Sequence, residues 1–331
     1  MGEKKGTDTY NAWKENHKCM INFHGSAASM ESAATLDIFQ PSEQTHSLRY
    51  KTFIGDGDSS SYPNVVKADP YPGLCIKKGE CIGHVQKRVG ANLRKLRKEL
   101  PKERKKMLFG KGKLTDASMN YIQNCYGLAI RQNTDNLYQM IKNVAAILPH
   151  CSEHPDLAER HKYCCRDEDS WCSYWNKSKL QKSQKFNLPQ NIQKESEIKL
   201  LFEHLRHPDL LSKCLHGKTQ NVNEAFNNVV WTKCPKTVYV NRKTLEIGAA
   251  SAVLDFNEGK DGIFQVFKNV GLKIGQIQHQ GTARLGVKRK RHLDRKSRSP
   301  VKRRRKADRK HYTDKNKESE GTTYKAGEFH A

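Results

Sequence analysis

Apolar and polar positions alternate over residues 48–54, Leu-Arg-Tyr-Lys-Thr-Phe-Ile, and this period of two predicts a strand. The strand runs directly into Gly55-Asp56-Gly57-Asp58-Ser59, the composition of a sharp turn. Elsewhere the spacing is helical. Residues 29–39 predict a helix ended by Pro41, and residues 84–100 a long basic helix that Pro101 ends or kinks. Two further helices fit residues 115–130 and 136–148, with Thr115 and either Thr134 or Asp135 as caps. Residues 198–214 read as helical with a break near Pro208, and residues 223–231 and 244–256 as shorter helices. Val238 and Val240 read as a short strand between those two. Residues 1–20 look unstructured or partial, and residues 181–193 form a polar linker. From about Thr282 the period is lost, which predicts a disordered charged tail.

The pattern therefore predicts a mixed α/β core with a strand ahead of a large helical insertion. The expected layout is a partial N-terminal segment over residues 1–20 and a domain over residues 21–281, with its insertion at about 90–195. A disordered basic tail then covers residues 282–331. No internal repeat is present.

Charge sharpens this picture. The 331 residues carry 60 Lys and Arg against 35 Asp and Glu, a net charge of +25. Residues 87–113 hold 12 basic and 2 acidic residues, a net of +10, and residues 284–310 hold 15 and 2, a net of +13. Two basic blocks on a nearly neutral body imply a polyanion partner, of which nucleic acid is the commonest. No stretch reaches the ~18 apolar residues of a spanning helix. Position 6 is Gly where a myristoylation signal has Ser or Thr, and no apolar secretory segment is present. The 10 cysteines are accordingly expected to be intracellular and reduced, which points to metal before disulfides.

Several residue groups carry candidate chemistry. Asp56 and Asp58 stand where a strand ends, a place from which carboxylates hold divalent ions, or else they belong to an ordinary Asp-Gly turn. Their turn is not an EF-hand loop, which would need Gly and Glu where Ser61 and Lys67 stand. Cys81-x-x-His84 supplies half of a zinc ligand set, or else is a buried free Cys beside a capping His. His150, His154, His161, Cys164, Cys165 and Cys172 lie within 23 residues. Of these, His161, Cys164 and Cys172 with either His150 or His154 would close a tetrahedral zinc site. The alternative is a reduced, partly buried Cys-rich loop packed on Trp171 and Trp175. Arg94, Lys95, Arg97, Lys98, Lys105 and Lys106 would track a DNA backbone, or else form a solvated helix face. Lys288-Arg289-Lys290-Arg291 and Lys302-Arg303-Arg304-Arg305-Lys306 have the spacing of a bipartite nuclear-import signal, or of a nonspecific polyanion tail.

The run Gly217-Lys218-Thr219-Gln220-Asn221-Val222-Asn223-Glu224-Ala225-Phe226-Asn227 resembles a segment of Mutator-like transposases in their animal branch. Asn22 with Gly25-Ser26, Met30 and Glu31 resembles a second family segment. Residues 48–59, 80–88 and 169–174 resemble three more, all in family order over about residues 17–275. The resemblance implies a ribonuclease-H-like core whose Asp-Asp-Glu triad holds two Mg²⁺ or Mn²⁺ ions. Those ions activate water or a DNA 3′-hydroxyl and stabilise the leaving oxygen. It places the second Asp on Asp56 or Asp58, with Asp56 favoured because it directly follows the strand. It places the Cys-x-x-His signature on Cys81 and His84, and the metal-binding Glu on Glu224, with Phe226, Val229 and Val230 burying the other face of that helix.

The family's first Asp lies in an upstream Asp-Gly-(Thr/Ser)-Trp segment, whereas the aspartate before Gly25 here is Asp8, in Gly-Thr-Asp-Thr-Tyr. The family's upstream Cys-x-x-Cys is represented by His17 and Cys19 alone. The expectation is an N-terminally truncated, catalytically incomplete DNA-binding fragment located in the nucleus. Its expected partners are DNA, a nuclear import receptor and further copies of itself. The alternatives are a domesticated DNA- or protein-binding module without catalysis, and an active nuclease whose missing Asp comes from elsewhere.

Overall fold

The computed structural model describes residues 6–16, 22–55, 60–166, 170–176 and 187–297. The chain is mostly helical, and the sheet among the described residues is one parallel pair of strands. It divides into two compact units, Met1–Val222 and Asn223–Ala331.

The first unit opens with α1 (Asp8–Asn16), in a stretch read as unstructured. The Thr7 hydroxyl accepts from the Tyr10 amide at 3.3 Å, and Tyr10 packs on Trp13 with ring centroids 5.7 Å apart. A cap and an i,i+3 aromatic pair thus support a helix that the polar composition hides. α2 (Ala27–Phe39) is capped by Ser26, and Pro41 leads into a short α3 (Ser42–His46). The first strand, β1 (Thr52–Gly55), is shorter than the alternation predicts. Ser47 turns left-handed at φ 53°, and the Leu48 amide bonds back to the Ser42 carbonyl, so the chain is still turning at Leu48.

Two unexpected elements follow, α4 (Ser61–Ala68) and β2 (Lys77–Glu80). The strands pair in parallel, with Thr52 opposite Lys77 and Gly55 opposite Glu80. A parallel pair requires a crossover connection, and α4 supplies it. Phe39, Val65, Tyr71 and Ile76 form a small core on which Phe53 of β1 packs.

The larger core belongs to the helices. α5 (Ile82–Glu99) stops at Pro101 as expected, and α6 (Lys102–Leu108) resumes beyond it. Ile82, Val85, Val89 and Leu93 recur at helical spacing and are fully buried, each contributing about 1.5–3 kcal/mol. They share one core with Met119, Ile122, Tyr126 and Ile130 of α7 (Asp116–Arg131). At the α5–α7 contact the Gln123 side-chain amide lies over Gly90 and that of Gln86 over Gly127, in the space a Cβ would take. Thr115 caps α7 through a reciprocal bond pair with Ser118, as expected.

α8 (Leu137–Ala145) is capped by Asn136 instead of Thr134 or Asp135; the Asn136 side chain accepts from the Gln139 amide at 3.0 Å. The single helix expected over 136–148 divides at Ala146, and α9 (Ile147–Cys151) follows. Pro149 has no N–H to continue the α8 ladder. α10 (Leu157–Arg160), α11 (Ser196–Leu205) and α12 (Pro208–Ser212) complete the unit, with the expected break before Pro208.

α13 (Asn221–Lys233) begins at the unit boundary, and α14 (Arg242–Asn257), α15 (Ile263–Asn269) and α16 (Gln276–Ser297) follow it. The strand expected at Val238 and Val240 is an exposed loop, with no strand partner among the described residues. No residue of α13 is fully buried, but Phe226, Val229 and Val230 are half-buried as the covered face expected of them while residues 221–225, 227 and 228 are exposed; Phe226 meets Phe256 edge-on at 5.6 Å. Residues 282–297, expected to be disordered, belong to α16. Lys, Arg, Gln and Leu are good helix formers, and no proline intervenes before Pro300. Residues 298–331 lie outside the described residues.

Candidate functional site

The segments at the C-terminal ends of β1 and β2 converge. The Gly55 carbonyl accepts from the Cys81 amide at 3.0 Å, which joins the end of β1 to the start of α5. The segment after α12 crosses the same place. The Lys213 carbonyl accepts from the Glu80 amide at 2.9 Å, and the Lys218 carbonyl from the Ile82 amide at 3.4 Å. Gln220 makes two contacts there: its amide donates to the Cys81 sulfur at 3.3 Å and its side chain to the Ile54 carbonyl at 3.0 Å. Glu80 is buried and ion-paired to Arg88 at 2.8 Å, so the two ends of the 80–88 segment are tied together. Asp56 and Asp58, one and three residues past this junction, lie outside the described residues, as do His17 and Cys19. Glu224 stands exposed in the first turn of α13. Cys81 is the N-cap residue of α5, and His84 lies in its first turn. Among the described residues, no third His, Cys or carboxylate gathers with this pair.

A second site forms where α9, the end of α10 and the following loop meet. The ligand atoms of His150, His161, Cys164 and Cys172 all lie within 4.8 Å of one another, and all four residues are buried. Nδ1 of His150 is 3.2 Å from Nδ1 of His161. The Cys164 sulfur lies 3.5 Å from the former and 3.8 Å from the latter, and the Cys172 sulfur 3.4 Å from His161 Nδ1.

The local chain geometry builds this cluster. The Cys164 amide bonds back to the His161 carbonyl at 3.1 Å, closing the His-x-x-Cys turn. The Trp175 indole N–H donates to the same carbonyl at 3.1 Å, and the Trp171 amide donates to Gln132 beyond the end of α7 at 3.1 Å. Tyr174 stacks on His161 at 4.6 Å, and Trp171 meets His150 edge-on at 4.7 Å. Burial lowers the His150 pKa and favours its neutral form. Hydrogen bonding with Cys164, followed by the two imidazoles, pulls Cys172 toward the thiolate, while the same thiol pair pushes Cys164 up. Such a donor set can hold a metal ion such as zinc. The geometry selects His150 over His154, which is exposed and bonds to Asp156 instead.

The third feature is basic. Arg97, Lys102, Lys105, Lys106 and Lys111 line an open groove of about 710 Å³ whose apolar lining is Phe109 and Leu114. Arg94 and Arg97 of the expected DNA-contacting set are ion-paired to Asp116, at 3.5 and 3.0 Å, and Lys95 pairs loosely with Glu99 at 3.8 Å. The bonds from Arg97 hold the Asp116 carboxylate below its usual range. Lys98, Lys105 and Lys106 are exposed.

The sequence profile of the family described as Mutator-like transposase matches residues 2–172, just over half of the 331-residue chain. The chain belongs to the Mutator-like transposase family. Neither a curated protein nor a solved structure matches it.

The Mutator-like match takes in α1, both strands, the groove and all four residues of the His-Cys cluster, and it ends at Cys172. The segment around Gln220 and Glu224 lies beyond it. Sequence reasoning missed the joining role of Gln220, the Glu80–Arg88 pair, and the contribution of Lys102 and Lys111 to the groove. Gln220 was visible only as a letter in a family segment, because its partner Ile54 is 166 positions away.

Proposed function

We propose that this chain is a DNA-gripping part of a transposase from the animal branch of the family, and that duplex DNA lies along the groove beside α6. The groove is the observation that carries this reading. Lys102, Lys105, Lys106 and Lys111 bring positive charge to one surface, with Phe109 and Leu114 as apolar lining between them. Ammonium groups spaced along a groove neutralise successive phosphates without reading bases.

In the family's ribonuclease-H-like arrangement, Asp56 or Asp58 and Glu224 would hold Mg²⁺ or Mn²⁺. Carboxylates suit such hard ions, whose role is Lewis-acid activation of the attacking and leaving oxygens. The junction made by Gly55, Cys81 and Gln220 would fix the end of β1, which Asp56 follows directly in the sequence. On this reading the first carboxylate of the set is not supplied from a strand among the described residues before β1. In support, every described acidic residue that precedes β1 stands on a helix: Asp8 and Glu15 on α1, Glu31 and Asp37 on α2, and Glu43 on α3. The family's first Asp sits on a strand.

We propose that the protein enters the nucleus, with Lys288, Arg289, Lys290 and Arg291 on α16 and Lys302, Arg303, Arg304, Arg305 and Lys306 as the signal an import receptor would read. No helix among the described residues is long and apolar enough to cross a membrane.

Fluorescence anisotropy of a labelled duplex tests the grip. Reversing Lys102, Lys105 and Lys106 to Glu should weaken binding at least tenfold while the circular dichroism spectrum is unchanged. Undiminished binding would overturn the assignment of the groove. A separate chain with Lys288 to Arg291 changed to Ala measures what α16 adds.

A further inference from the structure

We infer that His150, His161, Cys164 and Cys172 bind one structural zinc ion, separate from any ion on the carboxylates, and that this ion clasps the 150–176 segment onto the helical core.

The distances carry the inference. Zn–N bonds of about 2.0–2.1 Å and Zn–S bonds of about 2.3 Å in a regular tetrahedron place neighbouring ligand atoms about 3.3–3.8 Å apart. Four of the six separations among these atoms are 3.2, 3.4, 3.5 and 3.8 Å, and all six are within 4.8 Å. Four donors from four separate positions gather in one place, and Arg160, the only buried Lys or Arg among the described residues, is engaged elsewhere: its Nε donates to the His150 carbonyl at 3.1 Å. Two thiolates balance the charge of a divalent ion, so the loaded site adds no net charge to a dry interior.

The surroundings match what a ligating imidazole needs. Nε2 of His150 lies 3.3 Å from the Tyr121 hydroxyl on α7. A proton on Nε2 directed at that oxygen leaves the Nδ1 lone pair facing the cluster, and a partner on the far nitrogen is the usual way a metal-bound histidine is oriented. All four positions are filled by protein side chains, each no more than 5% exposed. No position is left open for water or substrate, which marks the site as structural and not catalytic.

The ion would do mechanical work for the fold. The segment it ties down has little regular structure among its described residues: α9 and α10 are 5 and 4 residues long, and the others are turns, bends, irregular chain and one isolated bridge at Ser152. One ion would join α9, the end of α10 and the Cys172 turn, and through Tyr121 it would reach α7. The site lies in the part of the chain that matches the family profile, and its test does not depend on DNA binding.

The test is metal content and spectroscopy on the full chain. Protein purified without added chelator should carry about one zinc per chain. Cobalt substitution should produce the intense thiolate-to-cobalt band and tetrahedral ligand-field bands of a two-sulfur, two-nitrogen site. A strong chelator should lower the melting temperature of wild type, and re-added zinc should restore it. Cys172→Ser should lose the ion, whereas His154→Ala should keep it. If Cys172→Ser fails to fold, the cobalt spectrum and the chelation shift of wild type still decide the matter. A folded wild-type chain with no stoichiometric zinc, a cobalt spectrum without the thiolate band, stoichiometric iron instead of zinc, or loss of zinc in His154→Ala would each overturn the assignment.

Discussion

The side-chain N–H of Gln220 donates to the carbonyl of Ile54 at 3.0 Å, across 166 positions of chain. The Gln220 amide also donates to the Cys81 sulfur at 3.3 Å, so one residue holds the end of β1 and the start of α5 together. Removing one partner of such a bond leaves the other unsatisfied, which costs about 1–3 kcal/mol. Gln220→Ala should therefore lower the free energy of unfolding by that amount, read as a lower urea midpoint with an unchanged m-value. Gln220→Glu should do the same, since a carboxylate cannot donate to a carbonyl. An unchanged midpoint in both variants would show that the junction is held by other contacts.

Arg104 reaches Glu195 at 2.8 Å and Glu197 at 2.6 Å, tying α6 to the start of α11. Hydrogen bonding from Arg104 pulls the Glu197 pKa from the ordinary 4.5 to about 2. A carboxylate depressed in the folded state stabilises it fully above its unfolded pKa, and the contribution disappears as pH falls through the folded one. The window for this pair is therefore from about pH 4.5 down to about 2. Both side chains are part-exposed, so solvent screening keeps the contribution small. Arg104→Gln should be less stable than wild type at neutral pH, and the gap should close on acidification through that window. Thermal melts across the pH series measure it, and a gap that stays constant would assign Arg104 a packing role instead.

The groove makes a prediction about salt. Each phosphate neutralised adds about 0.9 to the slope of log affinity against log salt concentration. If Lys102, Lys105 and Lys106 each meet a phosphate, reversing all three should flatten the slope by about 2.7 on that scale. The loss should be equal for duplexes of different sequence, because phosphate contacts carry no base information. A slope that does not change, or a loss confined to one duplex sequence, would show that these lysines do not lie along the backbone.

Much of the helical core was legible because its signals are local. Pro101 and Pro208 interrupt helices wherever they fall, and Thr115 needs only Ser118 to form its cap. β2 was not legible: Lys77-Lys78-Gly79-Glu80 has no apolar alternation, and it is a strand because β1 lies beside it. The basic part of α16 was mistaken for a disordered tail because dense positive charge hides helix propensity. At the His-Cys cluster the residue types and the 161–164 spacing were readable, but the choice of His150 over His154 was not. That choice rests on the fold, which buries His150 against Tyr121 and leaves His154 on the surface. The carboxylates at the end of β1 were readable as letters in a turn, and they lie outside the described residues.

The most direct measurement of the central claim is Mn²⁺-dependent cleavage of a labelled duplex by the purified chain, with Glu224→Gln assayed beside it and binding read from the same samples. The account predicts that both proteins bind the duplex and neither cuts it, because the described acidic residues before β1 all stand on helices. Cutting by the wild-type chain that disappears in Glu224→Gln would contradict it, and would show that this chain supplies a complete set of metal-binding carboxylates.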